Sequence, residues 1–274
     1  MNSTGIDDAS TVRLERDGDV AILTLANPAR LNPLGLGLQQ RLRALLAEIR
    51  ADHGVRAVVL TAEGKGFCVG ADLSAMGPAT DGDARSLGER TADTMQALSN
   101  RLILDLHELP VPVVCAVNGA CAGAGVGLAL AADVVLMARS AYFFLPFISR
   151  LGIVPDLGST WFIERIAGRG RALALTLLGD RLGAERAVQW GLAWDSVDDT
   201  ALQAQALALA QRLAKLPAHA ALEARRAFDA AAANTLAQQL SYEAERQRVL
   251  LDLPSFAEGV AAFSEKREPR FPGR

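Results

Sequence analysis

The sequence predicts an α/β core followed by a helical extension, and three observations carry that prediction. Short apolar, β-branched runs recur at 55–64, 111–117 and 134–138, the composition of parallel strands buried on both faces. Stretches with apolar residues at helical spacing lie between them. Beyond about residue 200 only the helical pattern continues, so strands and helices first alternate and then helices run alone. The expected division is a core over 1–199 that holds the site and a helical region over 200–274.

In order, residues 11–25 (TVRLERDGDVAILTL) alternate around Asp17-Gly18, which predicts a β-hairpin. Asn27-Pro28 ends it. Leu38, Leu42, Leu45, Leu46 and Ile49 share one helical face. VRAVVLTAEG is the first buried strand, and GKGFCVGADLSAM (64–76) a glycine-bounded turn leading into a polar segment. The small, polar, glycine-rich stretch 77–90 predicts a mobile loop. A helix is expected over about 91–108, stopped by Pro110. VPVVCAV is the second buried strand, GAGVGLALAAD opens a small-residue helix, and VVLMA is the third strand, with AYFFLPF close behind. Further helices are expected over 159–178, 184–190, 200–214 and 218–248.

Composition narrows the function classes. Half of the 274 residues are hydrophobic, enough for a core that encloses a dry pocket without disulfides. A net charge of −3 argues against nucleic acid, whose phosphates require a basic face. The uncharged run Val111–Ala132 is long enough for a bilayer, but Pro112, Asn118 and four glycines interrupt it and no basic flank anchors it. No membrane partner is expected. No secretory signal stands out, and three loosely spaced cysteines (Cys68, Cys115, Cys121) suit reduced thiols, so the expected location is cytoplasmic. His53, His107 and His219 lie too far apart for metal-ligand spacing.

Two glycine turns and one acid are the candidate chemistry. Asn118–Gly127 follows a strand and opens a helix, as half of a dinucleotide fingerprint does, but the ribose-binding acid is missing: no Asp or Glu occurs from Val134 to Pro155. Two other readings remain: small residues allow close packing, or free N–H groups stabilise an anion that develops in a transition state. Val69-Gly70-Ala71-Asp72-Leu73 is a second turn of this kind, with Asp72 suited to cap the segment after it. Two parallel strands ending in these turns can present paired N–H donors from one sheet edge. Asp156, in LGIVPDLGST, also has two readings. It suits an N-cap with Ser159 at the third helical position, and it suits a poorly hydrated general base. The cysteines have no histidine nearby in sequence to activate a thiolate. Asp133 reads as a structural acid paired with an arginine or backbone.

Taken together these segments resemble the enoyl-CoA hydratase/isomerase (crotonase) superfamily. The matching pieces are Ala29–Asn32, Gly66–Leu73, Asn118–Gly127, Leu151–Asp156, Ala184–Ala187 with Trp190-Gly191-Leu192, and Phe263–Arg267, in order along nearly the whole chain. Within that superfamily, Pro-Asp-x-Gly-x-Thr-Trp at 155–161 is similar to ring 1,2-epoxyphenylacetyl-CoA isomerases. The resemblance implies a spiral of ββα turns, a helical C-terminal trimerisation region giving a homotrimer or dimer of trimers, and an acyl-CoA substrate. Coenzyme A would enter as part of that substrate, with no permanently bound cofactor. It implies an oxyanion hole from the backbone N–H groups of Ala71 and Ala124, with CoA along Arg30, Val69, Gly70, Asp72 and Leu73. Phe263 and Lys266 would lie near its nucleotide end. Residues 74–95 and 142–148 are expected to line an apolar acyl pocket.

The two glutamates that activate water in hydratases of the family fall on Gly127 and Ile148, neither of them acidic. Asp156 stands where several isomerases of the superfamily carry their catalytic acid, so the resemblance implies it as the acid/base of an isomerase. The alternatives are a hydratase drawing on Asp81, Asp83 or Glu89, a dehalogenase-like enzyme with Asp156 as nucleophile, and a non-catalytic acyl-CoA-binding subunit. A nicotinamide dehydrogenase is a further alternative, which absence of NAD binding would remove.

Overall fold

Alternation around a glycine turn makes the expected hairpin: β1 (Val12–Asp17) and β2 (Val20–Leu25) pair antiparallel with Asp17 opposite Val20. This computed structural model describes residues 12–75 and 84–274. Helix α1 (Leu36–Ala51) buries Leu38, Leu42, Leu45, Leu46 and Ile49, the face its periodicity predicts. The chain then enters β3 (Ala57–Ala62), buried throughout, and β4 (Gly66–Cys68). Helices α2 (Leu87–Thr94) and α3 (Asn100–His107) follow, joined by a π-helical turn over Met95–Ser99. Next come β5 (Val113–Val117), β6 (Ala120–Ala122) and α4 (Ala124–Leu130). Then β7 (Val134–Ala138), β8 (Tyr142–Phe144), a second π-helical turn at Phe147–Leu151 and α5 (Ser159–Ala167) repeat the order.

α6 (Arg169–Leu178), β9 (Leu182–Gly183), α7 (Ala184–Gln189) and β10 (Asp195–Val197) end the strand-bearing part. α8 (Leu202–Leu213), α9 (Ala220–Ala231), α10 (Leu236–Leu250) and α11 (Pro254–Glu265) complete the chain.

The strands sort into two sheets. One has the order β1-β2-β3-β5-β7-β10, the other β4-β6-β8-β9. Successive pairs β3/β4, β5/β6 and β7/β8 each give one strand to each sheet, with a helical segment after each pair. This is a spiral of ββα turns. Parallel pairing runs from β2 through β10 in the first sheet and from β4 to β8 in the second.

Several boundaries differ from expectation for local reasons. Part of the predicted 77–90 loop is helical: Ser86 and Glu89 form a reciprocal capping box that starts α2. The predicted 159–178 helix breaks at Gly168 (φ 80°). The predicted 218–248 helix is two, because Thr235 caps α10 through its own box with Gln238. The 64–76 segment contains a strand, β4, too short to show alternation.

The helical extension is tied to the core. α8 buries Leu202, Ala206 and Ala210 against the first sheet, and its Gln203 donates to Thr61 at 2.8 Å. From α9, Arg225 is only 9% exposed; it donates to both carboxylate oxygens of Asp133 and to the carbonyls of His107, Leu109 and Val111. Asp133 also accepts from the Val113 N–H at 2.7 Å, so it is the structural acid its position predicts. Among the described residues no helix is long and apolar enough to cross a membrane, and no cluster of ligating side chains could hold a metal.

Candidate active site

The second sheet builds the site. β4 and β6 pair in parallel, Gly66 opposite Ala120 and Cys68 opposite Cys121, so the segments leaving them emerge from one edge. These short strands carry the two turns directly; the longer runs 57–62 and 113–117 lie in the other sheet. Gly70 takes φ 85°, and a Cβ there would lie 3.0 Å from both the Ala124 nitrogen and the Ala122 oxygen. Only glycine lets the two turns meet this closely. Among the described residues the N–H groups of Ala71 and Ala124 have no acceptor. Two unengaged donors at one edge can hold a developing oxyanion.

One wall of this edge is fixed by charge and amide contacts. Arg30 donates to both oxygens of Asp72, at 2.8 and 2.7 Å, and to the Ser74 hydroxyl at 2.9 Å. Asp72 also accepts from the Ser74 N–H at 3.2 Å, the capping role its sequence position suggests. With these partners, Arg30 foremost, the Asp72 carboxyl is held below the usual carboxylate range. Asn32, fully buried at φ 56°, accepts from the Asn27 N–H and donates to the carbonyls of Glu63 and Gly66. The 27–34 segment therefore clamps the 66–72 turn, which continues in the bonds Val69 N–H to Leu31 and Leu34 N–H to Gly70. The clamping role of Asn32 was missed in the sequence, where it appeared only as part of a matching segment.

Asp156 faces the same cavity. Ala71, Ala124, Asp156 and Leu157 line a space of about 400 Å³ with Asp72, Leu34–Leu36 and residues of α2 and the turn after it. The cap reading of its side chain does not hold. α5 is capped by Gly158 with no side-chain bond, and Ser159 N–H donates instead to the Asp156 backbone carbonyl at 2.9 Å. The Asp156 Oδ1 is buried with no partner among the described residues. Burial pushes its pKa up to about 6, against a lowering by its own backbone N–H. The group is thus a carboxylate that is poorly hydrated yet ionised at neutral pH.

Other expected site residues are placed differently. Leu73 stands exposed at the end of the Gly66–Leu73 segment, and Val69 lies in the clamped turn. Phe263 is 86% exposed on α11 and lines a separate groove with α10 residues; Lys266 ends that helix in a left-handed conformation. Neither meets the cavity within this chain. Of the expected acyl-pocket segments, 85–95 contributes lining, but 142–148 does not: Phe143 and Leu145 are buried in the core instead. α2 carries Arg90 and Asp93 into the lining and Arg85 stands just before it, so this wall of the pocket is more polar than predicted. Glu89 is occupied by its capping box and held below the usual range by the Ser86 N–H. Asp81 and Asp83 lie outside the described residues. All three cysteines are buried, with burial pushing Cys68 to about 12 and the other two up as well, so they are inert thiols.

A spiral of ββα turns with a cavity at the edge of its smaller sheet is the crotonase fold. An enoyl-CoA hydratase structure from Bacillus anthracis shares it with a TM-score of 0.87 at 28% identity, over 96% of this chain and 100% of that one. The chain belongs to the enoyl-CoA hydratase/isomerase family, whose sequence model matches residues 15–274. A 1,2-epoxyphenylacetyl-CoA isomerase of Escherichia coli is 42% identical over 93% of this chain and 95% of its own length. A protein of Rhodobacter capsulatus named as a probable enoyl-CoA hydratase is 40% identical over 96% and 98%.

Proposed function

We propose that this family member is an acyl-CoA isomerase in which Asp156 moves the proton. The thioester oxygen accepts from the Ala71 and Ala124 N–H groups, which acidifies the neighbouring C–H; each such donor is worth about 3 kcal/mol to a transition state. For a 3-enoyl ester, Asp156 takes a proton from C2, leaving a dienolate whose charge rests on the thioester oxygen. The protonated carboxyl then returns a proton to C4, and the product is the 2-enoyl ester. The observation that carries this reading is the buried Oδ1 of Asp156, without a partner among the described residues, in the cavity that Ala71 and Ala124 line. It is the carboxylate a single-base mechanism requires.

The resemblance of the 155–161 segment and the identity to the Escherichia coli protein favour a second substrate, a ring epoxide of a CoA ester, handled by the same parts. Coenzyme A would run past Arg30 and residues 69–73. The exposed apolar residues Phe228, Leu236, Leu240 and Phe263 on α9–α11 support self-association, as a homotrimer or dimer of trimers. In such an assembly Phe263 and Lys266 would meet CoA. Purified protein assayed with 3-enoyl-CoA, 2-enoyl-CoA and 1,2-epoxyphenylacetyl-CoA tests the reading. Formation of 3-hydroxyacyl-CoA from the 2-enoyl ester as the main reaction would make it a hydratase, and binding without turnover would make it an acyl-CoA-binding subunit.

A further inference from the structure

Gly127 and Asp156 belong to different elements, yet the loop that carries Asp156 is seated on Gly127 through its next residue, Leu157. A Cβ on Gly127 would lie 2.1 Å from the Leu157 carbonyl oxygen and 2.9 Å from its carbon. Both are backbone atoms, so no rotamer change relieves the collision; the loop itself must withdraw. That loop is held from its other side as well. Leu157 (φ 47°) and Gly158 (φ 78°) are successive left-handed residues that turn the Leu157 carbonyl onto α4. For leucine this conformation persists only where packing enforces it, and the Leu157 side chain is indeed buried in the core.

We infer that Gly127 is a positioning residue for Asp156: its missing side chain gives the 155–158 loop a seat on α4 and thereby fixes the carboxylate in the cavity. The inference rests on Asp156 as the proton carrier. A side chain at 127 and Asp156 in its present place are steric alternatives. Among the described residues the other charged groups around the cavity are Asp72, held by Arg30, and Arg85, Arg90 and Asp93 near α2. Burial, and none of these, raises the Asp156 pKa, so a loop that withdraws toward water returns it toward the ordinary carboxylate value.

The test is Gly127→Ala, assayed on 3-hexenoyl-CoA across pH. We expect kcat to fall about a hundredfold with KM little changed, and the acid limb of kcat to move below its wild-type position. Asp156→Glu should restore part of the rate in the Gly127→Ala background and lower it in the wild-type one, a coupling that general loss of fold would not produce. A folded Gly127→Ala enzyme with wild-type kcat and acid limb overturns the inference. Should that variant not fold, Gly127→Ala is made in a Leu157→Gly background, whose freer backbone can give way to the new Cβ, and compared with Leu157→Gly alone; equal kcat and acid limb in the two overturn the inference equally. Infrared titration of the aspartates, with Asp156→Asn assigning the band, follows the carboxyl without turnover. A wild-type band near pH 6 that moves down in Gly127→Ala supports positioning even if no ester is isomerised, in which case the proposed function alone fails.

Discussion

Two aspartates, Asp72 and Asp156, line the same cavity in opposite states. Asp72 accepts a bidentate pair from Arg30 and two bonds from Ser74, and its carboxyl is held below the ordinary range. Asp156 keeps an oxygen with no partner among the described residues, and burial lifts its pKa to about 6. A carboxylate saturated with donors has little affinity for a proton and holds a shape. One that is poorly hydrated and short of donors binds a proton more readily and is fit to carry it. The difference lies in the partners each segment meets, since the residue type is the same.

The sharpest way to break this contrast is Asp156→Asn, which keeps the side chain's shape. We expect turnover of 3-enoyl-CoA to fall by about 10²–10⁴-fold with ester binding retained; full turnover would end the single-base mechanism. Next in size is pH. Because the base must be ionised, kcat should fall about tenfold per unit below pH 6, read as a pH–rate profile, with no such limb from Asp72.

The same comparison has a stability side. The native state holds the Asp156 proton more tightly than the unfolded chain, so the ionised form destabilises the fold above pH 6, and the penalty vanishes as pH falls below the ordinary value of 3.8. Asp156→Asn should therefore stabilise the fold at pH 7.5 by about 1–2 kcal/mol after solvent screening. The melting temperature should rise at that pH and stay unchanged at pH 3. Arg30→Met should do less: loss of an exposed pair costs about 0–1 kcal/mol, raises the Asp72 pKa and leaves the acid limb in place. Smallest is Glu89→Gln, which keeps an N3 residue able to serve the capping box, so stability should shift by a few tenths of a kcal/mol at most and turnover should not change. Loss of hydration in that variant would revive the hydratase alternative.

Much of the fold was legible. The hairpin, α1 and the strands at 57–62, 113–117 and 134–138 carry strong periodicity or continuous burial, signals that neighbouring residues share. β4, β6 and β9 were not, since two or three residues cannot show alternation, and their pairing partners are distant in sequence. The helix break at Asn234-Thr235 was missed because a capping box acts through side-chain bonds that apolar spacing does not report. In the site, Asp156 stood out by its isolation among apolar residues, and the paired turns by their glycines.

What the sequence determined by itself was the inventory: an α/β core with helices behind it, two glycine turns after strands, and one acid in an apolar loop. Tertiary structure decided their states. It released the Asp156 carboxylate from the cap, engaged Asp72 and Glu89 elsewhere, and laid the Leu157 carbonyl where a side chain on Gly127 would be. The physical reason is that desolvation and hydrogen-bond occupancy depend on what the folded chain packs against a group, and those neighbours are set by contacts between segments far apart in the sequence.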